Sequence, residues 1–321
     1  MVRRKHVHTV DKNVIEGYFG RNINYYNSVV VILNGSEWIN YIAVSSAGKL
    51  HSRNEVVVNY VQRLLSDYEG ADRLQRMGTY CRFVFQGDDC PKDYRSGSWQ
   101  IRRGFENVCL LPDFYYVQNN GYQNFYPADV PDWDDRESKF FWRGSTTGGW
   151  SLTANSVTAL IRYRLCELAG QRAGWTDFGF YLVTQAASEQ SKAEIENLLR
   201  AGGMLKTYCP LSSYVQYKFF IQIDGNGNSW ELIPKLRLGS CMLLVESDWL
   251  LWHHKLLRPW EHYVPVAADL SNLVEMMDWC LVHDEEAAEI ATRGRALALS
   301  INFDTEMSEA VEALAESVEV V

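Results

Sequence analysis

The chain has 321 residues, 47% of them hydrophobic and 22% charged, with a net charge of −9 and a pI near 5.3. That length is too great for one small core and points to two domains. The acidic balance argues against a protein that coats nucleic acid. The seven cysteines are odd in number and widely spaced, with no Cys-x-x-Cys pair. This is neither a zinc pattern nor a disulfide framework, and reduced thiols suit a reducing compartment. No apolar segment reaches membrane-spanning length and no signal-peptide core opens the chain, so the expected location is cytoplasmic. The basic start "MVRRKH" could at most touch an acidic membrane face, a peripheral association.

In chain order, "SVVVILNG" and "WINYIAVSS" predict two strands with a turn at Asn34-Gly35. In "NEVVVNYVQRLLSDY", Val57, Val58, Val61, Leu64 and Leu65 form a helical stripe. "YCRFVFQGDDCP" reads as a short apolar strand ending in Asp88-Asp89-Cys90-Pro91. From Asn119 to Glu137 the Asn-, Tyr-, Pro- and Asp-rich composition predicts a long loop, with "DWDDRE" as a solvated linker. The second half alternates more regularly. Strands are expected at "KFFW", "FGFYLV", "YKFFIQI", "CMLLVE" and "HYVPV". Helices are expected at 154–168, 188–200, "ELIPKLRL", 270–282 and 285–299. This alternation, with fully apolar strands, predicts a doubly wound parallel sheet that binds ligands at the carboxyl ends of its strands. The tail "SEAVEALAESVEVV" predicts an acidic amphipathic helix packed on the body. The expected domains are 1–138, 139–302 and the tail helix 303–321.

Two loops carry candidate chemistry. In "YKFFIQIDGNGNSWELIPKL", a buried strand runs into Asp224, Gly225, Asn226, Gly227, Asn228, Ser229 and Trp230 before a helical pattern. Asp224, Asn226 and Asn228 match the start of an EF-hand loop. The required sixth-position Gly is Ser229, however, and the twelfth-position Glu is Lys235. A plain turn is a second reading, since Gly and Asn tolerate positive φ. The third is a cradle for a phosphate-bearing ligand. Small residues admit close backbone approach, helix-start N–H groups favour an anion, Ser229 can cap the helix, and Lys235 follows. The second loop, "FFWRGSTTGG", offers the Arg143 guanidinium, the Ser145, Thr146 and Thr147 hydroxyls, and backbone at Gly144, Gly148 and Gly149. It lacks the Gly-Lys-Ser/Thr ending of a Walker A loop, and Arg143 could instead be a buried structural arginine. No Gly-x-Gly-x-x-Gly follows a strand. His262, on an apolar strand, reads as structural. The adjacent His253 and His254 do not share a helix face as metal ligands would.

"FFWRGSTTG", "YKFFIQIDGNGNSW", "LRLGSCMLLVESDW" and "LLRPWEHYVPVAADLSNLVEMMDWCLVHDEEAAEIATRG", in this order, resemble glycosyltransferase family 90. That family includes fungal capsule-associated xylosyltransferases, protein O-glucosyltransferases and bacterial lipopolysaccharide-modifying enzymes. The resemblance is strong from about Phe140 to Arg295 and thinner back to about Arg82. It implies a GT-B-like α/β fold, in which two Rossmann-like domains face a cleft. It also implies inverting transfer of glucose or xylose from a UDP-sugar to a glycan or lipid-linked acceptor such as lipopolysaccharide or capsule, without a metal or other cofactor. The donor would lie in the C-terminal domain, on Arg143, Gly144, Ser145, Thr147, the 224–230 loop and Lys235, with Arg162 and Arg164 as weaker candidates. Asp89 falls on the strand–Asp–x–Pro stretch that carries the catalytic base in protein O-glucosyltransferases, with Asp88 adjacent. One departure stands out: Glu231 occupies a position where many members carry an Arg that meets the diphosphate. Either Lys235 or Arg162 substitutes for it, or the chain is a degenerate binding relative.

Overall fold

The computed structural model describes residues 4–10, 28–34, 38–46, 49–50, 52–67, 81–86, 96–104, 109–123, 129–317 and 319–320. The chain opens with β1 (Arg4–Val10), β2 (Ser28–Asn34), β3 (Trp38–Ser46), β4 (Lys49–Leu50) and helix α1 (Ser52–Asp67). Next come β5 (Cys81–Gln86), β6 (Ser96–Ser98), β7 (Gln100–Arg102), β8 (Cys109–Leu110) and α2 (Phe114–Gln118). The middle holds β9 (Glu137–Ser145), α3 (Ile161–Gly170), β10 (Thr176–Leu182), α4 (Glu189–Ala201), β11 (Tyr217–Gln222), α5 (Leu232–Arg237) and β12 (Cys241–Val245). Then follow β13 (Trp249–Leu251), β14 (Val264–Val266), α6 (Leu273–Val282), α7 (Asp284–Ser300), α8 (Phe303–Ser317) and β15 (Glu319–Val320). Among the described residues, no helix is long and apolar enough to cross a membrane.

The chain divides into two compact units. The first comprises Met1–Tyr122, Asp248–His254 and Ile301–Val321, and the second Gln123–Ser247 and Lys255–Ser300. The first unit's sheet runs β1-β3-β2-β5-β6-β8. It is mixed: β2 pairs antiparallel with both β3 and β5, while β1–β3, β5–β6 and β6–β8 are parallel. The short link between β2 and β3 permits only an antiparallel return. On α1, Val57, Val58, Tyr60 and Leu64 are buried, which is the expected stripe where side chains are described. Val61 and Leu65 lie outside the described side chains. Two later segments complete this unit. Strand β13 pairs antiparallel with β7, and α8 buries Met307, Val311 and Leu314.

The second unit carries a five-stranded sheet in the order β10-β9-β11-β12-β14, parallel throughout. In chain order this is the 2-1-3-4-5 arrangement, whose direction reverses between β9 and β11. The near-continuous apolar runs of β9, β11 and β12 match strands covered on both faces. Phe140, Trp142, Phe178, Phe180, Phe219, Ile221 and Leu243 share one core cluster with side chains of α3, α4, α6 and α7. The α/β class therefore holds, with the parallel sheet in this unit.

Three local expectations need correction. The helix expected from 154 starts only at Ile161. Thr153 and Ser156 instead exchange side-chain and backbone hydrogen bonds, as hydroxyl residues do when they compete with helix. The "DWDDRE" segment is not a free linker. The Trp133 indole donates to Asp284 at 2.9 Å, and the buried Arg136 donates to Ser240 and to the Leu238 carbonyl. These bonds tie 129–136 to the second unit, so the unit boundary falls at Tyr122 and not at 138. Finally, Ser229 does not cap α5. The cap position is Glu231, with no side-chain capping bond, and α5 is only six residues long. Pro234 fits there because the first-turn N–H groups of a helix have no intrahelical partner.

Candidate functional site

Parallel sheets of this order open a crevice where the strand order reverses, outside the carboxyl ends of the two diverging strands. Here those strands are β9 and β11. The hydroxyl-rich loop leaves β9 at Ser145 and the glycine-rich loop leaves β11 after Gln222. The two segments singled out from sequence thus emerge side by side at the switch point.

Arg162 fastens them together. Its Nη1 donates to the Ser145 carbonyl at 3.0 Å and to Thr147 Oγ1 at 2.6 Å. Its Nε donates to the Asp224 carbonyl at 2.7 Å and its Nη2 to the Ile223 carbonyl at 3.2 Å. The guanidinium is buried, and burial pulls its pKa down to about 10, against the opposing pull of Asp224 and Glu231. It is therefore charged at neutral pH. A planar fork suits this task, because it reaches acceptors on both sides at once. Arg162 occupies the apolar stripe of α3, whose other buried members are Leu165, Cys166 and Ala169. A charged residue at that spacing, with its helix packed under the loops, is the sequence signal that a reading of loop residues alone underweights.

Further bonds complete the junction. The Gly148 N–H donates to Asn226 Oδ1 at 3.0 Å, and Gly148 holds φ +115, a conformation suited to glycine. A Cβ on Gly225 would lie 2.4 Å from Thr147 Oγ1 and 3.0 Å from Arg162 Nη2, so the contact requires glycine. Ser247, just beyond β12, donates its hydroxyl to the Asp224 carboxylate. The Gly225 N–H donates to the Gly227 carbonyl at 3.0 Å, and Gln222 braces the loop through the Ser229 carbonyl at 3.3 Å. Asp224 and Asn226 thus spend these oxygens on protein hydrogen-bond donors, whereas an EF-hand loop would turn them on an ion.

Ser145, Thr147, Asp224, Gly225 and Asn226 meet at this junction, with Gly227, Asn228, Ser229 and Trp230 continuing the same loop. Arg143 does not join them. Its guanidinium pairs with Asp177 on β10 at 2.8 Å, donates to the Asp177 and Trp142 carbonyls, and lies over the Phe141 ring. Gly144 is buried, and a Cβ there would strike the Trp142 ring at 2.4 Å. That glycine serves packing. Lys235, on α5, is buried, bonded to Glu231 at 3.1 Å and Gln222 at 3.3 Å, with its ammonium 5.0 Å from the Tyr214 ring centre. Burial depresses its pKa, but Tyr214 and Glu231 outweigh that and leave it above the ordinary lysine value. Arg164 is exposed. His262 Nδ1 accepts from the Arg258 N–H at 3.1 Å, consistent with a structural histidine. Asp88 and Asp89 lie outside the described residues.

The junction brings together small residues, the Ser145 and Thr147 hydroxyls and the buried Arg162 guanidinium at the switch point, a chemistry suited to a phosphorylated ligand. The sequence model of glycosyl transferase family 90 matches residues 126–305, more than half of the chain. "Uncharacterized protein 035R" of Invertebrate iridescent virus 3 is 34% identical over 177 residues, 53% of this chain and 15% of that protein. Protein O-glucosyltransferase 2 of Danio rerio is 29% identical over 170 residues, 52% of this chain and 30% of that protein. The chain thus spans less than a third of these curated relatives. Among solved structures, a mutant of S. aureus TarM in complex with fondaparinux, alpha-GlcNAc-glycerol and UDP has 13% sequence identity. It covers 65% of this chain and 43% of that one, with a TM-score of 0.42.

Proposed function

The chain belongs to glycosyl transferase family 90, and from that premise we propose that it transfers a sugar from a UDP-sugar to a hydroxyl of a glycan acceptor. The proposed reaction is a single inverting displacement. The acceptor oxygen bonds to the anomeric carbon, the bond from that carbon to the diphosphate oxygen breaks, and the electron pair leaves with UDP. The acceptor proton passes to a carboxylate, assigned to Asp89 through the family resemblance. The observation that carries this reading is the closure of the β9 and β11 loops over Arg162 at the sheet switch point. A leaving diphosphate needs preorganised hydrogen-bond donors or positive charge. Ser145 and Thr147 supply hydroxyls, and the buried charges of Arg162 and Lys235 stand behind the loops, so the proposal needs no metal.

The test is Asp89→Asn in the full chain, with transfer and UDP binding measured together. The proposal expects transfer lost and UDP binding kept. Loss of neither would remove Asp89 as the base.

A second reading is a binding relative that does not turn over. Glu231 favours it, because its carboxylate holds Lys235 while Arg162 is spent on loop carbonyls. Under this reading the wild-type chain binds UDP but releases no UDP from any UDP-sugar, with or without glycan acceptors.

A further inference from the structure

Resting on that reading of the switch point, we infer that Tyr181 and Tyr208 form the platform on which the base of the donor nucleotide stacks. Tyr181 lies near the carboxyl end of β10, next to β9. The β9–β10 register passes from Phe180 opposite Gly144 to Leu182 opposite Ser145, leaving Tyr181 as the extra residue of a bulge. Bulges re-aim a side chain, and they recur beside functional sites. The outer edge of β10 is covered by the segment after α4. The Phe180 N–H donates to the Met204 carbonyl and the Lys206 N–H to the Phe180 carbonyl, both at 2.7 Å. That pairing sets the course of the chain to Tyr208, whose ring meets Tyr181 edge-to-face, with centroids 5.2 Å apart.

Both rings face solvent, at 36% exposure for Tyr181 and 67% for Tyr208. A single exposed aromatic needs no explanation, but a pair held together by a bulge and an added edge segment, on the strand next to β9, is a built surface. Its position agrees with its electrostatics. Burial raises the Tyr181 phenol, Glu231 and Tyr208 raise it further, and Arg162 and Lys235 oppose them. The Tyr181 phenol thus feels the charges of Glu231, Arg162 and Lys235. The platform belongs to the same unit as the loops, so it suits the part of the ligand that stays behind when the sugar leaves. Every base has a flat face, and an aromatic ring stacks on it without needing a hydrogen-bond match.

The experiment titrates the full chain with UDP and, separately, with inorganic pyrophosphate, for wild type, Tyr181→Ala, Tyr208→Ala and Tyr181→Phe. The inference expects UDP affinity to fall roughly tenfold or more in the alanine variants, as for loss of one stacked base. It expects Tyr181→Phe to keep wild-type affinity and pyrophosphate binding to be the same in all four proteins. Unchanged UDP binding in both alanine variants overturns the platform while leaving the diphosphate site standing. Wild-type protein that binds neither probe overturns the diphosphate site and the platform with it.

Discussion

The Arg162 guanidinium donates to the Thr147 hydroxyl at 2.6 Å while its Nε holds the Asp224 carbonyl at 2.7 Å, so one side chain from α3 sets the spacing of two loops from different strands. Lysine keeps the charge but cannot reach acceptors on both loops at once. Arg162→Lys should therefore lower stability by about 2–4 kcal/mol, because buried carbonyls lose their hydrogen bonds. It should also weaken UDP binding at least tenfold. Thermal unfolding and calorimetric titration of the same variant measure the two effects. Stability lost with affinity intact would make Arg162 a fold residue only.

Arg143 offers the contrast. It is bonded to Asp177, and its side chain is only 8% exposed. Arg143→Met should leave Asp177 without its partner and cost about 1–3 kcal/mol. UDP affinity should stay within twofold of wild type, since the guanidinium turns to β10 and away from the junction. A variant that unfolds normally but no longer binds UDP would restore Arg143 to the phosphate site.

Asp113, in the first unit, carries a pH signature. It caps α2 by accepting from the Tyr116 N–H at 3.0 Å, and it accepts from the Tyr122 hydroxyl. Burial raises its carboxyl from 3.8 to about 6, against the pull of Tyr122, Tyr116 and Trp252. A pKa raised on folding adds stability that is complete below about pH 4 and is lost as pH rises through about 6. At full development this is on the order of 2–3 kcal/mol. Melting temperature, compared between wild type and Asp113→Asn from pH 4 to 8, should show wild type losing ground across that window. Parallel curves would mean that Asp113 does not titrate there.

The second unit was legible because its strands are long apolar runs with helices between them, a pattern only a covered parallel sheet produces. The glycine-rich loop was legible for a related reason: small polar residues directly after a buried strand must lie at the carboxyl edge. Roles within the site were harder to read. Arg143 sits in the loop motif by sequence, but strand alternation points it at Asp177. Arg162 sits inside a helix and becomes the junction through tertiary packing. Ser247 and the bulge at Tyr181 have no local signature, because each depends on which strands are neighbours. In the first unit, β13 pairs with β7 from about 150 residues away, and no local periodicity encodes so short a pairing. The sequence order puts Lys235 after the loop as a ligand contact, but its place on α5 turns it toward Tyr214 and Gln222 instead.

The most direct test of the diphosphate site is titration of UDP, in EDTA, into wild type and Gly225→Ala. An alanine Cβ would lie 2.4 Å from Thr147 Oγ1 and would push the two loops apart, while the sheet beneath is untouched. Gly170→Ala, which meets nothing within 4 Å, is the control. The proposal predicts that wild type and Gly170→Ala bind UDP alike without metal, and that Gly225→Ala binds at least tenfold more weakly with its fold intact. Equal binding by Gly225→Ala and wild type, or binding that disappears on chelation, would contradict a metal-independent diphosphate site at the junction of β9 and β11.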